Sequence, residues 1–216
     1  MLRLSTARAV FTAGLSMWVA APALAHHPTG GQMPDSALAG VLSGLAHPVI
    51  DVEHLVFLLA AAVVWGLTRL SPYRLAGVVA LFVVASLSGA LAHRAGLLVP
   101  LMGVGLAVSL FGVAWRLVAA RSESPSITGH ALWAGFCGAV HGYAYGEAVL
   151  GAEATPVLAY LLGLSVIQVA LMGVAAVAAR RLANGPRFAQ FRVRLRGLAL
   201  LAVATGAWVL SVSAFP

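Results

Sequence analysis

The chain has 216 residues, of which 61% are hydrophobic and only 9% are charged, and its mean hydropathy is +0.97. A soluble domain of this length needs far more polar surface, so this composition excludes an ordinary water-soluble protein. The apolar residues come in runs of about twenty, as membrane-spanning helices require, and they lack the alternation of a membrane β-barrel. We therefore predict an all-α membrane protein, with lipid as its surroundings.

The formal net charge of +7 depends on arginine alone, because the chain contains no lysine. The arginines lie almost wholly in short segments between apolar runs, where positive charge sets membrane topology. This distribution argues against nucleic acid as a partner. Only one cysteine, Cys137, is present, so no intrachain disulfide can form.

The N-terminal segment has the features of a signal peptide. Arg3 and Arg8 precede an apolar stretch that ends in Ala-Leu-Ala at residues 23–25. We predict a signal peptide over residues 1–25, with an uncleaved first span as the alternative. Residues 26–39 are predicted to form a periplasmic loop and residues 40–216 a six-helix transmembrane domain.

Six apolar runs follow the predicted loop. Pro48 lies inside the first, and proline is best tolerated in a first helical turn. We therefore expect that helix to start near Pro48, after a short interfacial or re-entrant piece over residues 37–46. Gly138, Gly142 and Gly146 repeat every fourth residue and predict a close helix contact. The six predicted spans are 40–67, 74–93, 96–118, 128–150, 155–179 and 196–215.

Arginines mark alternate loops, namely those between the first and second, third and fourth, and fifth and sixth runs. Only Arg94 falls in a different loop. The positive-inside rule makes the arginine-containing loops cytoplasmic, so both mature termini face the periplasm across a bacterial inner membrane. A cleaved signal peptide also requires the mature N-terminus to face the periplasm.

Histidines and carboxylates crowd the predicted outer end of the first span. An aspartate at the centre of a span costs about 2.5–3.5 kcal/mol, which makes such residues functional candidates. On a continuous helix His47, Asp51 and His54 share one face, while Glu53 points away by about a third of a turn. Nitrogen and oxygen ligands suit a borderline divalent cation such as Ni²⁺, Co²⁺ or Zn²⁺. The alternative is that these side chains are simply solvated at the membrane interface.

Other candidate ligands lie on the same predicted outer side. His141 lies past the middle of the fourth span, and Glu147 at its outer mouth can attract cations. After cleavage, the α-amine and imidazole of His26, with the imidazole of His27, can chelate a transition metal. His93 and His130, at span ends, are candidates for entry and exit sites or are interfacial.

These motifs resemble the HupE/UreJ family of nickel and cobalt permeases. The residues that carry the resemblance are HHPTGG, LSGLAHPVIDVEHLVFLLA and HGYAYGEAVLGAEATPVLAYLLGLSVIQ. In the family pattern HPxxGxDH, His47, Pro48 and His54 match, whereas Asp51 replaces the glycine and Glu53 the aspartate. The sequence HGYAYG, in place of HGHAHG, resembles a subgroup that keeps only the first histidine, His141.

The resemblance implies a secondary-type permease that takes up Ni²⁺ or Co²⁺, with no enzyme activity and no bound cofactor. The predicted metal ligands are His26, His27, His47, Asp51, Glu53, His54, His141 and Glu147. Candidate partners are a second copy of the chain or proteins of hydrogenase, urease or cobalamin pathways. The alternatives are a non-transporting metal-binding accessory or sensor protein and a haem-binding redox protein with His54 and His141 as axial ligands.

Overall fold

The computed structural model describes residues 33–68, 70–119, 126–186 and 188–214, and these ranges contain helices and no strand. The all-α prediction is therefore confirmed for this part of the chain. The predicted signal peptide, His26 and His27 lie outside the described residues. The helices are α1 (Ala37–Ile50), α2 (Val52–Leu67), α3 (Pro72–Arg94), α4 (Met102–Ala119), α5 (Ile127–Tyr145), α6 (Ala154–Ala183) and α7 (Phe188–Ala214), with a 3₁₀ turn at Gly146–Val149.

Four of the described helices are long and apolar enough to cross a membrane, namely α3, α4, α6 and the Val193–Ser213 part of α7. Helices α1 and α2 add a fifth span if this bent pair is counted as one. Helix α5 has 19 residues and is not among the candidates. Four to five spans fit a multi-pass membrane protein, and the expected count of six is not confirmed.

Serine side chains cap three helix starts. Ser36 Oγ accepts a hydrogen bond from the Ala39 N–H at 3.2 Å, and Ser126 Oγ accepts one from Gly129 at 3.1 Å. Such caps satisfy backbone donors that a first turn leaves without partners. Because Ser36 caps α1, the helix begins at Ala37.

Glycines allow pairs of helices to pack backbone against backbone. Helix α3 packs closely on α5, α1 and α2 pack on α6, and α4 packs on α7. A Cβ atom at Gly138 would overlap the carbonyl oxygen of Phe82, and one at Gly142 would overlap that of Ser86. The predicted role of this glycine repeat in a helix contact is confirmed. On α1, Gly44 approaches the backbone of Tyr160 in the same way.

The outer surface of the bundle is apolar, as a lipid-facing surface must be. Large hydrophobic side chains on most of the described helices are exposed, including Trp115, Leu132, Leu158 and Leu200. In water this surface would be an aggregation liability, whereas hydrocarbon solvates it. The structure thus agrees with the membrane location inferred from composition.

Two arginines define the ends of the bundle. Arg94, at the end of α3, donates to the Ala152 carbonyl at 3.0 Å just before α6 begins. Arg180, near the end of α6, donates to the carbonyl of Leu70 at 2.9 Å in the α2–α3 connection. We call these the Arg94 end and the Arg180 end. Helices α3 and α6 therefore run in opposite directions between them.

Candidate metal site

The site is built on a break between α1 and α2, which meet at Asp51 with a bend of 75°. Asp51 has an extended backbone, with φ −86° and ψ 109°. Its N–H donates to the His47 carbonyl, and its own carbonyl accepts from the N–H groups of His54 and Leu55. Asp51 thus ends one helix and begins the next.

The position of this break corrects the expectation that a helix starts near Pro48. Pro48 lies inside α1, which continues to Ile50. A proline inside a helix removes one backbone hydrogen bond and crowds the carbonyl of the preceding turn, yet the last residues of α1 stay helical. The interruption falls three residues later, at Asp51.

The break brings together His47 from the last turn of α1, Asp51 itself and His54 from the first turn of α2. One ligand atom from each lies within 4.8 Å of the other two, and all three side chains are buried. His47 Nε2 is 3.0 Å from Asp51 Oδ2. Two imidazoles and a carboxylate form a donor set that can hold a divalent cation.

Sequence reasoning grouped the correct three residues, but it assumed the wrong backbone geometry. The helical spacing assumed one continuous helix, whereas the three side chains converge around a corner. For the same reason Glu53, expected to point away, lines the same cavity as Asp51. A broken helix also directs the carbonyl end of α1, where the helix dipole is negative, toward the cluster.

His141, on α5, lies behind His54. The Nδ1 atoms of the two rings are 2.7 Å apart, and Phe57 stacks on the His141 ring with centroids 4.1 Å apart. On its other side, His141 Nε2 is 2.8 Å from Ser109 Oγ of α4. His141 is therefore held from three directions and is fully buried.

Tyr160, on α6, supports His47. Its hydroxyl lies 2.9 Å from His47 Nδ1 and donates to the Tyr145 carbonyl at 2.9 Å. The Tyr145 ring itself packs against His54, with centroids 4.2 Å apart, and against His47 at 5.1 Å. Tyr145 occupies the position of the last histidine in the HGHAHG pattern.

A cavity of about 120 Å³ opens beside the cluster. Its lining includes three of the six acidic residues of the chain, Asp51, Glu53 and Glu147, so its field attracts cations. Glu147 is exposed, while Asp51 is buried. The cavity thus leads from an exposed carboxylate to the buried cluster. It is lined by His47, Asp51, Glu53, His54, Ala144, Glu147 and Ala148.

The remaining candidate residues lie apart from this cluster. His93 stacks on Tyr143 and hydrogen-bonds the Tyr143 carbonyl at 2.7 Å. His130 is buried near the start of α5, eleven residues before His141 on the same helix. Cys137 belongs to the apolar core. None of these three lines the cavity.

Sequence reasoning missed Ser109, Tyr145 and Tyr160. A serine in an apolar span is common as a small packing residue, and Tyr160 is 113 residues from the histidine that it contacts. The substitution pattern HGYAYG was a signal for Tyr145, but it did not show that the ring would face both imidazoles. Nothing in the sequence distinguished Ser109 from other serines.

A family model described as HupE / UreJ protein matches residues 14–209, which is most of the chain. The chain belongs to the HupE/UreJ family. This family is associated with nickel and cobalt transport. No curated protein and no solved structure matched this HupE/UreJ chain.

Proposed function

We propose that this protein is a secondary-type permease that takes up Ni²⁺ or Co²⁺ through the His47–Asp51–His54 cluster. The observation that carries the proposal is the cluster itself, a buried set of two imidazoles and a carboxylate at a helix break within an apolar bundle. Buried ionisable side chains in a membrane protein are costly and mark ion pathways. Family membership supports the same function.

The cavity supplies an approach for the ion. Glu147 and Glu53 attract the hydrated cation, and His47, Asp51 and His54 replace part of its water shell. His141 completes the site behind His54. After signal-peptide cleavage at Ala25, His26 and His27 capture metal before it reaches the cavity.

We further propose that the Arg94 end faces the periplasm. The cluster lies toward this end, because Tyr160 is in the second turn of α6 and α6 begins at the Arg94 end. The opposite end carries Arg180 and Arg181 in the last turn of α6 and Arg74 in the first turn of α3, and by the positive-inside rule we assign this end to the cytoplasm. If α5 and the α1–α2 pair each cross the membrane once, the chain has six spans, and we propose that both mature termini then face the periplasm.

The orientation is testable with a single reporter cysteine in a Cys137→Ser background. We expect Glu153→Cys, at the exposed residue just before α6, to react with an impermeant maleimide in intact spheroplasts. Gly185→Cys, after the end of α6, should react only after permeabilisation. The reverse labelling pattern would contradict the proposed topology.

Transport is tested by radioactive Ni²⁺ and Co²⁺ uptake in cells that lack their own importers. We expect His47→Ala and His54→Ala to abolish accumulation, with expression matched to the unsubstituted protein. His93→Ala is the matched control, because His93 is also an imidazole near the Arg94 end but does not line the cavity. Normal uptake in both cluster variants would defeat the proposal.

A non-transporting accessory or sensor protein is the second candidate. It is favoured by the burial of all three proposed ligands, because a buried site can hold a metal ion without releasing it. It would bind Ni²⁺ in detergent yet support no accumulation in the same cells. The haem alternative fits poorly. Two nitrogens 2.7 Å apart leave no room for iron between His54 and His141, since each metal–imidazole bond is itself about 2 Å.

A further inference from the structure

We propose that Ser109 and Tyr160 are positioning residues that set the orientation and tautomer of the two cluster imidazoles, with Ser109 acting through His141. This inference rests on the proposed metal-binding function of the cluster. The observation that carries it is that each hydroxyl group has a single proton to donate, so its second contact must be one in which it accepts.

The Ser109 hydroxyl has one proton and donates it to the Leu106 carbonyl at 2.7 Å. The 2.8 Å contact between Ser109 Oγ and His141 Nε2 must therefore have the imidazole as donor. A neutral His141 with its proton on Nε2 has a lone pair on Nδ1. Ser109 thus selects the tautomer of His141.

The tautomer of His141 in turn determines the tautomer of His54. His141 Nδ1 can only accept, so the 2.7 Å contact requires His54 Nδ1 to donate. A neutral His54 then carries its lone pair on Nε2. A metal bonds only to a nitrogen with a lone pair, so the chain from Ser109 through His141 prepares His54 Nε2 as a ligand.

Tyr160 acts on His47 in the same way. Its one hydroxyl proton goes to the Tyr145 carbonyl, so its oxygen accepts from His47 Nδ1. The lone pair of a neutral His47 is then on Nε2, the atom 3.0 Å from Asp51 Oδ2. At 3.0 Å these two atoms form an ion pair when His47 is protonated, and when His47 is neutral a bound cation would take the place of the proton between the nitrogen and the carboxylate oxygen.

This arrangement changes the role of His141 from the ligand expected in the sequence to a support. Both of its nitrogens are engaged, one by His54 and one by Ser109, and it does not line the cavity. Outer hydrogen-bond partners of metal ligands typically contribute about 10- to 100-fold to affinity. Ser109 and Tyr160 should therefore affect metal affinity without contacting the metal.

The first experiment measures the Ni²⁺ dissociation constant by calorimetry on purified full-length protein in a His26→Ala/His27→Ala background. We expect Ser109→Ala and Tyr160→Phe each to weaken binding about 10- to 100-fold. Ser165→Ala is the matched control for the serine, because its hydroxyl also bonds a backbone carbonyl in a helix. Tyr143→Phe is the control for the tyrosine, since its hydroxyl bonds the backbone of Leu97 outside the cluster. Both controls should bind as the background protein does.

The second experiment separates positioning from ligation and from misfolding. X-ray absorption spectra of the Ni²⁺-loaded protein should show two imidazole ligands, and His141→Ala and Ser109→Ala should still show two at saturating metal. Three imidazoles that fall to two in His141→Ala would overturn the inference, as would unchanged affinity in Ser109→Ala and Tyr160→Phe. Absence of Ni²⁺ binding by the unsubstituted protein would instead defeat the proposed function, and this inference with it.

Discussion

His47 and Asp51 meet across the end of a helix, with Nε2 of the imidazole 3.0 Å from Oδ2 of the carboxylate. The two residues are four positions apart at the end of α1, and the extended backbone of Asp51 then turns the chain by 75° before α2 begins. A continuous helix would direct Asp51 and His54 along one stripe. The bend instead directs them into a shared cavity with Glu53, so two carboxylates compete for the role of ligand.

Asp51→Asn and Glu53→Gln distinguish these two carboxylates. We expect Asp51→Asn to weaken Ni²⁺ binding by about 100-fold or more, since even the loss of a hydrogen-bond partner behind a metal ligand costs about 10- to 100-fold. Glu53→Gln should weaken it by less than about tenfold, because Asp51, and not Glu53, is within 4.8 Å of both imidazoles. The measurement is calorimetric titration of both variants. A larger loss in Glu53→Gln would assign the ligand to Glu53.

Glu147→Gln should act on the approach of the ion. Glu147 is exposed and lines the cavity, so its charge raises the local cation concentration. We expect initial uptake at low salt to fall about tenfold, and the difference from the unsubstituted protein to shrink near 0.15 M salt, where screening acts over about 8 Å. Glu153→Gln, an exposed carboxylate that does not line the cavity, should show no such effect. A salt-independent loss in Glu147→Gln would indicate direct ligation.

Tyr145→His should add a third imidazole to the cluster. The Tyr145 ring already packs at 4.2 Å from His54 and 5.1 Å from His47. Imidazole binds Ni²⁺ and Co²⁺ well, so we expect about tenfold tighter binding, equivalent to about 1.4 kcal/mol. Tyr143→His is the control, because the Tyr143 ring stacks on His93, whereas the Tyr145 ring packs against the two cluster imidazoles. Equal affinities of the two variants would show that position 145 does not reach the metal.

Gly138→Ala should destabilise the contact between α3 and α5. The added Cβ would overlap the Phe82 carbonyl oxygen and approach Ala85 Cβ at 2.9 Å, and such overpacking costs about 1–3 kcal/mol. Gly135→Ala, on the same helix, meets nothing within 4 Å. Thermal unfolding in detergent should therefore show a lower midpoint for Gly138→Ala than for Gly135→Ala. Equal midpoints would contradict the packing described above.

The sequence predicted those features that are encoded locally. Apolar runs gave the helices, and the glycine repeat at Gly138, Gly142 and Gly146 indicated a close contact because only a missing side chain allows it. The histidines and Asp51 were identifiable since ionisable groups in an apolar run are costly.

Features that depend on the meeting of distant segments could not be predicted. The break at Asp51 was expected at Pro48, because proline is the visible signal while an extended Asp51 leaves none. Ser109 and Tyr160 acquire their roles only when α4 and α6 pack beside the cluster. His26 and His27 stay predictions, as does the signal peptide.

Helices α1 and α2, on the two sides of the break at Asp51, both pack against α6. Gly44 allows the backbone of α1 to lie directly against the backbone of Tyr160 in α6. Arg180 of α6 donates a hydrogen bond to the Leu70 carbonyl, just after α2 ends. Helices α3 and α5 form a separate glycine-packed pair.

Besides the bond from Arg94 to Ala152 at one end, side-chain hydrogen bonds between the described residues of these two groups of helices include three inside the bundle, two of which belong to the candidate metal site. They are His54 to His141, Tyr160 to the Tyr145 carbonyl, and Gln168 to Ser86 at 3.0 Å. A displacement of α3 and α5 away from α6 would break all three together. One of the proposed ligands, His54, therefore also joins these two groups of helices, so ion binding at the proposed cluster would be coupled to their relative position.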